Sequence, residues 1–64
     1  MRNKYLYGYM PKIDYYSNLI ESTARSLATS PTVDSKIQLL MLLETYSGKL
    51  NYFINKEHIR LNQL

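Results

Sequence analysis

The C-terminal half of the chain carries more apolar surface than one neighbouring helix can cover. From Val33 to the C-terminus there is no proline and a single glycine, which predicts one long helix. Two adjacent stripes run along it at helical spacing. The first consists of Val33, Ile37, Leu40, Leu43, Leu50, Ile54 and Leu61, and the second of Leu39, Leu42, Tyr46 and Phe53. Together they span a wide arc, so we expect this helix to contact more than one neighbour.

The segment from Pro11 to Thr29 predicts a shorter amphipathic helix. One apolar stripe follows the i, i+3, i+4, i+7 rule and consists of Ile13, Tyr16, Ile20, Ala24 and Leu27. Pro11 suits a first helical turn, because the N–H that proline lacks would have no partner there. We therefore expect a first helix over about residues 11–29.

The dipeptide Ser30-Pro31 separates the two helices. A residue before proline is disfavoured in the α region, and Ser30 is a good N-cap with Pro31 as the first helical residue. We expect the second helix over about residues 31–61. Because so short a connection forces neighbouring helices antiparallel, the sequence predicts an all-α helical hairpin over residues 11–64.

Residues 1–10 form a short N-terminal arm before the hairpin. From Lys4 to Met10 the sequence alternates, which would place three tyrosines on one face if the arm were extended. The arm either packs back over the long helix, pairs as a strand with a second copy, or is flexible.

Self-association is the expected source of additional stability. A chain of 64 residues buries little surface, and without cysteine it has neither disulfides nor thiolate metal sites. Two hairpins packed as a two-fold symmetric four-helix bundle would cover both helices. We therefore predict a homodimer, with a permanent complex with a different chain as the alternative. The predicted dimer core consists of Ile13, Tyr16, Ile20, Leu27, Ile37, Leu40, Leu43 and Leu50.

The residue inventory argues against catalysis, metals and cofactors. His58 is the single imidazole, and it lies between Lys56 and Arg60 near the end of a helix, away from any paired nucleophile. No glycine-rich phosphate loop is present, since Gly8 and Gly48 stand alone. We expect no enzyme activity, no cofactor and no membrane span, and a cytoplasmic location.

We expect a small non-catalytic regulator or adaptor that binds and modulates a protein partner through its helix faces, inhibition being one form of such modulation. The net charge of +3 is spread along the chain, which favours a solvated surface over a nucleic-acid site. Abundant Asn, Lys, Ile and Tyr are typical of an AT-rich bacterial or phage genome. Aromatic side chains anchor interfaces well. The predicted partner surface consists of Tyr5, Tyr7, Tyr9, Tyr46 and Phe53.

The competing prediction is DNA binding. The alternating arm, the helix opened by Pro11 and the second helix opening at Thr32-Val33-Asp34-Ser35-Lys36-Ile37 resemble the ribbon–helix–helix repressors. The resemblance implies paired arms in the major groove. The contacts that it implies are Arg2, Lys4, Tyr5, Tyr7 and Tyr9.

Two further resemblances concern the second helix. The segment Ser47-Gly48-Lys49-Leu50-Asn51 is similar to the Ser-x-x-Leu-Asp motif of the hairpin aspartyl-phosphate phosphatases of sporulation, with Asn51 in place of the aspartate. Tyr46, Ser47 and Asn51 after a proline turn resemble type III secretion needle subunits or their hairpin chaperones. Both resemblances imply a helical hairpin that docks on another protein.

Overall fold

The structure is a computed structural model that describes residues 8–64. Two helices account for 88% of these residues, and no strand occurs in that range. Helix α1 spans Met10–Thr29 and α2 spans Val33–Asn62. They pack along each other in an elongated molecule with extents of 47 × 20 × 14 Å. The predicted all-α hairpin is therefore confirmed.

The start of α1 follows the prediction to within one residue. Pro11 lies in the first turn, where the N–H that it lacks would have no intrahelical acceptor. Tyr9 is the N-cap residue but makes no side-chain cap, and its carbonyl accepts the first helical hydrogen bond from the Ile13 N–H at 3.0 Å. Residues 1–7 of the predicted N-terminal arm lie outside the described residues.

The turn between the helices differs from the prediction in which residue caps α2. Ser30 is the extended C-cap of α1, and its buried hydroxyl has no hydrogen-bond partner among residues 8–64. The N-cap of α2 is Thr32, whose hydroxyl accepts a hydrogen bond from the Ser35 N–H at 3.1 Å. Pro31 disfavours the α conformation at Ser30, so α1 ends there. The Thr32 hydroxyl then accepts a hydrogen bond from the Ser35 N–H, one of the backbone amides at the start of α2 that have no partner within the helix. The predicted N-cap at Ser30 is therefore wrong by two residues.

A seam of half-buried side chains joins the two helices. Along each helix these positions alternate in steps of three and four residues, the pattern of a coiled-coil seam. On α1 the seam consists of Ile13, Tyr16, Ile20, Leu27 and the buried Thr23, with half-buried Leu19 beside it. On α2 it consists of Leu39, Leu43, Tyr46, Leu50, Phe53, Arg60 and the buried Glu57, with half-buried Ser35 near its start. Members of both predicted stripes of α2 thus share one seam. The remaining members of the first stripe are exposed.

The longer α2 extends beyond the start of α1. With 20 residues against 30, the overhang is about 15 Å at ~1.5 Å per residue. Gly8 and Tyr9 cover part of it, since the Tyr9 ring lies 5.9 Å from that of Phe53 and the Tyr9 N–H reaches Glu57. We considered three arrangements for the N-terminal arm. Gly8 and Tyr9 follow the first of them, in which the arm packs back over the long helix.

Candidate protein-binding surfaces

The helix seam holds a cluster of aromatic rings. Tyr16 stacks on Phe53 with ring centroids 5.8 Å apart and lies 6.4 Å from Tyr46. Tyr9 closes the cluster at the N-terminal end of α1. Offset and tilted contacts of this kind stabilise beyond the area they bury, by about 0.5–1.5 kcal/mol per pair. The cluster fixes the register between the helices.

Three of the five residues of the predicted partner surface lie in this aromatic cluster. Tyr9, Tyr46 and Phe53 are half-buried between the helices of the single chain, where the prediction placed them on an outward surface. The cause is that positions 46 and 53 belong to the heptad seam that faces α1. Tyr5 and Tyr7 lie outside the described residues.

The eight residues of the predicted dimer core differ in their burial within the single chain. Six of its residues are half-buried in the helix seam of the single chain, and two are exposed. The six are Ile13, Tyr16, Ile20, Leu27, Leu43 and Leu50, and the two are Ile37 and Leu40. Their burial in a dimer stays a prediction.

An uncharged, apolar edge runs along one side of the hairpin. Beside the seam of α2, the successive heptad positions are occupied by Val33, Leu40, Ser47, Ile54 and Leu61. The matching positions of α1 are Met10, Ser17 and Ala24. In an antiparallel pair these positions adjoin each other, so they form one surface. We call it the apolar edge. Its large members are exposed, among them Leu40 at 48% and Ile54 at 46%.

The opposite side of the hairpin carries lysines and exposed aromatic rings. Lys12 of α1 lies with its Nζ 5.9 Å from the Phe53 ring, and Lys56 lies 5.4 Å from the Tyr52 ring. Lys49 is one heptad before Lys56 on the same side of α2. None of the three lysines forms an ion pair with any residue in the range 8–64. We call the three lysines with Tyr52 the basic edge.

Gly48 forms a shallow depression next to the basic edge. A Cβ built at this residue would meet no atom within 4 Å, so no part of the described chain packs against it. The depression is open to solvent and lined by Glu44, Thr45, Gly48, Lys49, Tyr52 and Phe53. Helix α2 is continuous through this position.

A buried ion pair fastens the start of α1 to the end of α2. Glu57, with 6% exposure, accepts two hydrogen bonds from the Arg60 guanidinium at 2.9 and 2.8 Å and one from the Tyr9 N–H at 3.0 Å. These hydrogen bonds, that from Arg60 first, lower the pKa of Glu57 from 4.5 to about 2, against a smaller opposing effect of desolvation.

Gly8 allows the chain to reach this ion pair. Its φ of +50° lies in the left-handed region that favours glycine. A Cβ at this position would also collide with the Arg60 guanidinium and the Glu57 carboxylate. Backbone conformation and close approach therefore both require glycine here. Sequence analysis missed this contact, although the spacing of Glu57 and Arg60 on one helix face was a usable signal.

No grouping of three or more His, Cys, Asp or Glu side chains that could hold a metal ion occurs between Gly8 and Leu64. His58 is exposed, as are Ser47 and Asn51 of the phosphatase-like segment. Neither α1 nor α2 has an apolar stretch long enough to cross a lipid bilayer. The predicted lack of catalysis stays a prediction.

Comparison with protein-family models, with curated proteins and with solved structures gives no significant match for this chain. Function must therefore be inferred from the surfaces of the hairpin.

Proposed function

We propose that this chain is a small non-catalytic regulator or adaptor that self-associates through its apolar edge and acts by binding a protein partner. One observation carries the proposal. No hydrophobic side chain among residues 8–64 is buried, whereas twelve large ones are exposed. A folded domain normally buries its Leu, Ile and Phe side chains, so a further layer of protein is needed here. Because the fold needs no disulfide, we place it in the cytoplasm.

A second copy is the partner that we propose for the apolar edge. Large uncharged side chains recur there at heptad spacing, which is the requirement for a further helix to pack alongside. Covering the exposed half of a Leu or Ile contributes on the order of 1 kcal/mol. Two hairpins joined edge to edge would form an isologous four-helix bundle.

Lysine substitutions on the apolar edge test this proposal. Leu40→Lys and Ile54→Lys introduce charges at its centre, and Gln38→Lys and Asn55→Lys add the same charge on the outer face of α2. We expect the first two variants to halve the mass measured by light scattering, because burying an unpaired ammonium is unfavourable. The two controls should keep the parent mass. A parent-like mass for Leu40→Lys and Ile54→Lys would refute self-association through this edge.

DNA binding of the ribbon–helix–helix type remains the competing prediction. Four of its five implied contacts lie outside the described residues, and the fifth, Tyr9, packs against Phe53 between the helices. Binding of duplex DNA that weakens steeply with salt would favour this alternative, because neutralised phosphates release counterions.

A further inference from the structure

The basic edge differs chemically from the rest of the hairpin surface. The chain has five acidic residues, and none of them occupies the two heptad positions that flank the seam on this side. Glu57 is paired with Arg60 and Glu21 with Arg25, Asp14 and Asp34 lie at other heptad positions, and Glu44 lines the depression beside Lys49. The three lysines of the basic edge thus outnumber the one carboxylate near them, which gives this edge a local excess of positive charge.

The three lysines of the basic edge lie close to one another along the hairpin. Lys49 and Lys56 are seven residues apart, or about 10.5 Å along the helix axis. Lys12 approaches from α1 at the level of Phe53, which lies between them in sequence. Tyr52, exposed at 54%, lies between the two α2 lysines in sequence, and its ring is 5.4 Å from the Lys56 Nζ. The basic edge thus combines three ammonium groups with an exposed aromatic ring.

Gly48 supplies the second component of this surface. A glycine within a long exposed helix is unfavourable relative to alanine, and no contact within the described hairpin compensates for it. Its depression adjoins Lys49 and Tyr52 on one side, and Glu44 and Thr45 also line it. A missing side chain beside the basic edge allows the backbone of another helix to approach closely.

We propose, on the basis of the protein-binding function above, that the basic edge docks an acidic amphipathic helix of a partner protein. Carboxylates one heptad apart on that helix would pair with Lys49 and Lys56, and a further carboxylate would reach Lys12. An apolar side chain would insert over Gly48 against Tyr52. Flanking lysines at heptad spacing are the positions that set partner choice in helix pairs.

The charges exclude two other occupants. A second copy docked here with two-fold symmetry would place lysines against lysines, which is repulsive. Nucleic acid is disfavoured because this edge offers three lysines per chain, which can neutralise few phosphates. Self-association and partner binding are thereby assigned to opposite edges, so that both can occur at once.

Fluorescence anisotropy with three labelled probes tests the proposal on the 64-residue chain. The first is an amphipathic peptide of about three heptads with glutamates one heptad apart and leucines on one face. The second has lysines in place of those glutamates, and the third is single-stranded poly-dT of similar length. We expect the acidic peptide to bind and the lysine peptide not to bind. Absence of binding by the acidic peptide, or tighter binding by poly-dT, would overturn the proposal.

Charge-matched variants locate the site. Lys49→Ala/Lys56→Ala should weaken binding of the acidic peptide by about tenfold or more, because it removes two of the three ammonium groups that would pair with the peptide carboxylates. Arg25→Ala/Lys36→Ala removes the same number of positive charges outside the basic edge. This control should change the affinity for the acidic peptide by less than about twofold. Gly48→Leu fills the depression and should also weaken binding. Equal effects of both double variants, or no effect of Gly48→Leu, would reject this site.

Light scattering on the same samples separates this proposal from the preceding one. A hairpin that keeps its dimeric mass but ignores the acidic peptide refutes the docking site and leaves self-association intact. A monomer that binds the peptide at Lys49 and Lys56 supports the docking site and refutes the dimer.

Discussion

At the residue scale, Glu57 shows how the hairpin obtains specificity without a buried apolar core. Two ion pairs are present in the described chain. The side chains of Glu21 and Arg25 are 61% and 77% exposed, whereas those of Glu57 and Arg60 are 9% and 18% exposed, and Glu57 also accepts a hydrogen bond from the Tyr9 N–H. Exposed pairs are screened by water and contribute little. The Glu57 pair therefore has the larger influence on structure.

Replacement of Glu57 by glutamine should lower the melting temperature of the protein by several degrees. The amide keeps the shape of the side chain, but it removes the charge that faces Arg60 and weakens the acceptor for the Tyr9 N–H. Glu21→Gln, in the exposed pair, should leave the melting temperature nearly unchanged. Circular dichroism measures both. Equal melting temperatures for the two variants would contradict this role of Glu57.

The lowered pKa of Glu57 also predicts a pH dependence. Because the carboxyl has a pKa of about 2 in the folded state and 4.5 as its ordinary value, its stabilisation is complete above pH 4.5. The stabilisation is lost progressively as the pH falls from there through about 2. Urea unfolding across this range should show a loss of stability that Glu57→Gln lacks. An identical acid dependence in the variant would assign the effect to other carboxyls.

The residue-scale contacts were the least predictable from sequence. The pairing of Tyr9 with Glu57 depends on the register between α1 and α2, which the aromatic cluster sets in three dimensions. The left-handed conformation of Gly8 depends in turn on that pairing. Local sequence patterns therefore predict neither the Tyr9–Glu57 hydrogen bond nor the conformation of Gly8.

At the element scale, the helices were predictable and their facing sides were not. Pro11 and the Ser30-Pro31 dipeptide located the helix ends to within two residues, because proline acts on its immediate neighbours. The apolar residues of α2 span so wide an arc that periodicity alone allowed several seams. The structure selects positions 39, 43, 46, 50 and 53 to face α1, and this leaves Val33, Ile37 and Leu40 exposed.

Replacing Gly48 with alanine should stabilise the hairpin. The added Cβ meets open space, and alanine is favoured over glycine in a helix by about 1 kcal/mol. We expect a higher melting temperature with an unchanged mass in solution. Gln38→Ala, at an exposed position of α2 away from the apolar edge, should have an effect of less than ~0.5 kcal/mol. A lower melting temperature for Gly48→Ala would mean that another chain approaches Gly48 in the assembled protein.

At the scale of the whole molecule, the two edges of the hairpin differ in chemistry. Its apolar edge has no charge, and its basic edge has three lysines that form no ion pair within residues 8–64. Length and composition predicted that a chain of 64 residues without cysteine needs further support. The location of the two edges could not be predicted, since it follows from the seam that the helices select.

The mass of the unmodified protein in solution tests the central claim most directly. Light scattering over a range of concentrations should give twice the 7.6 kDa of the single chain, and melting temperature should rise with concentration as expected for coupled folding and association. A monodisperse species of 7.6 kDa, with a melting temperature independent of concentration, would contradict the account.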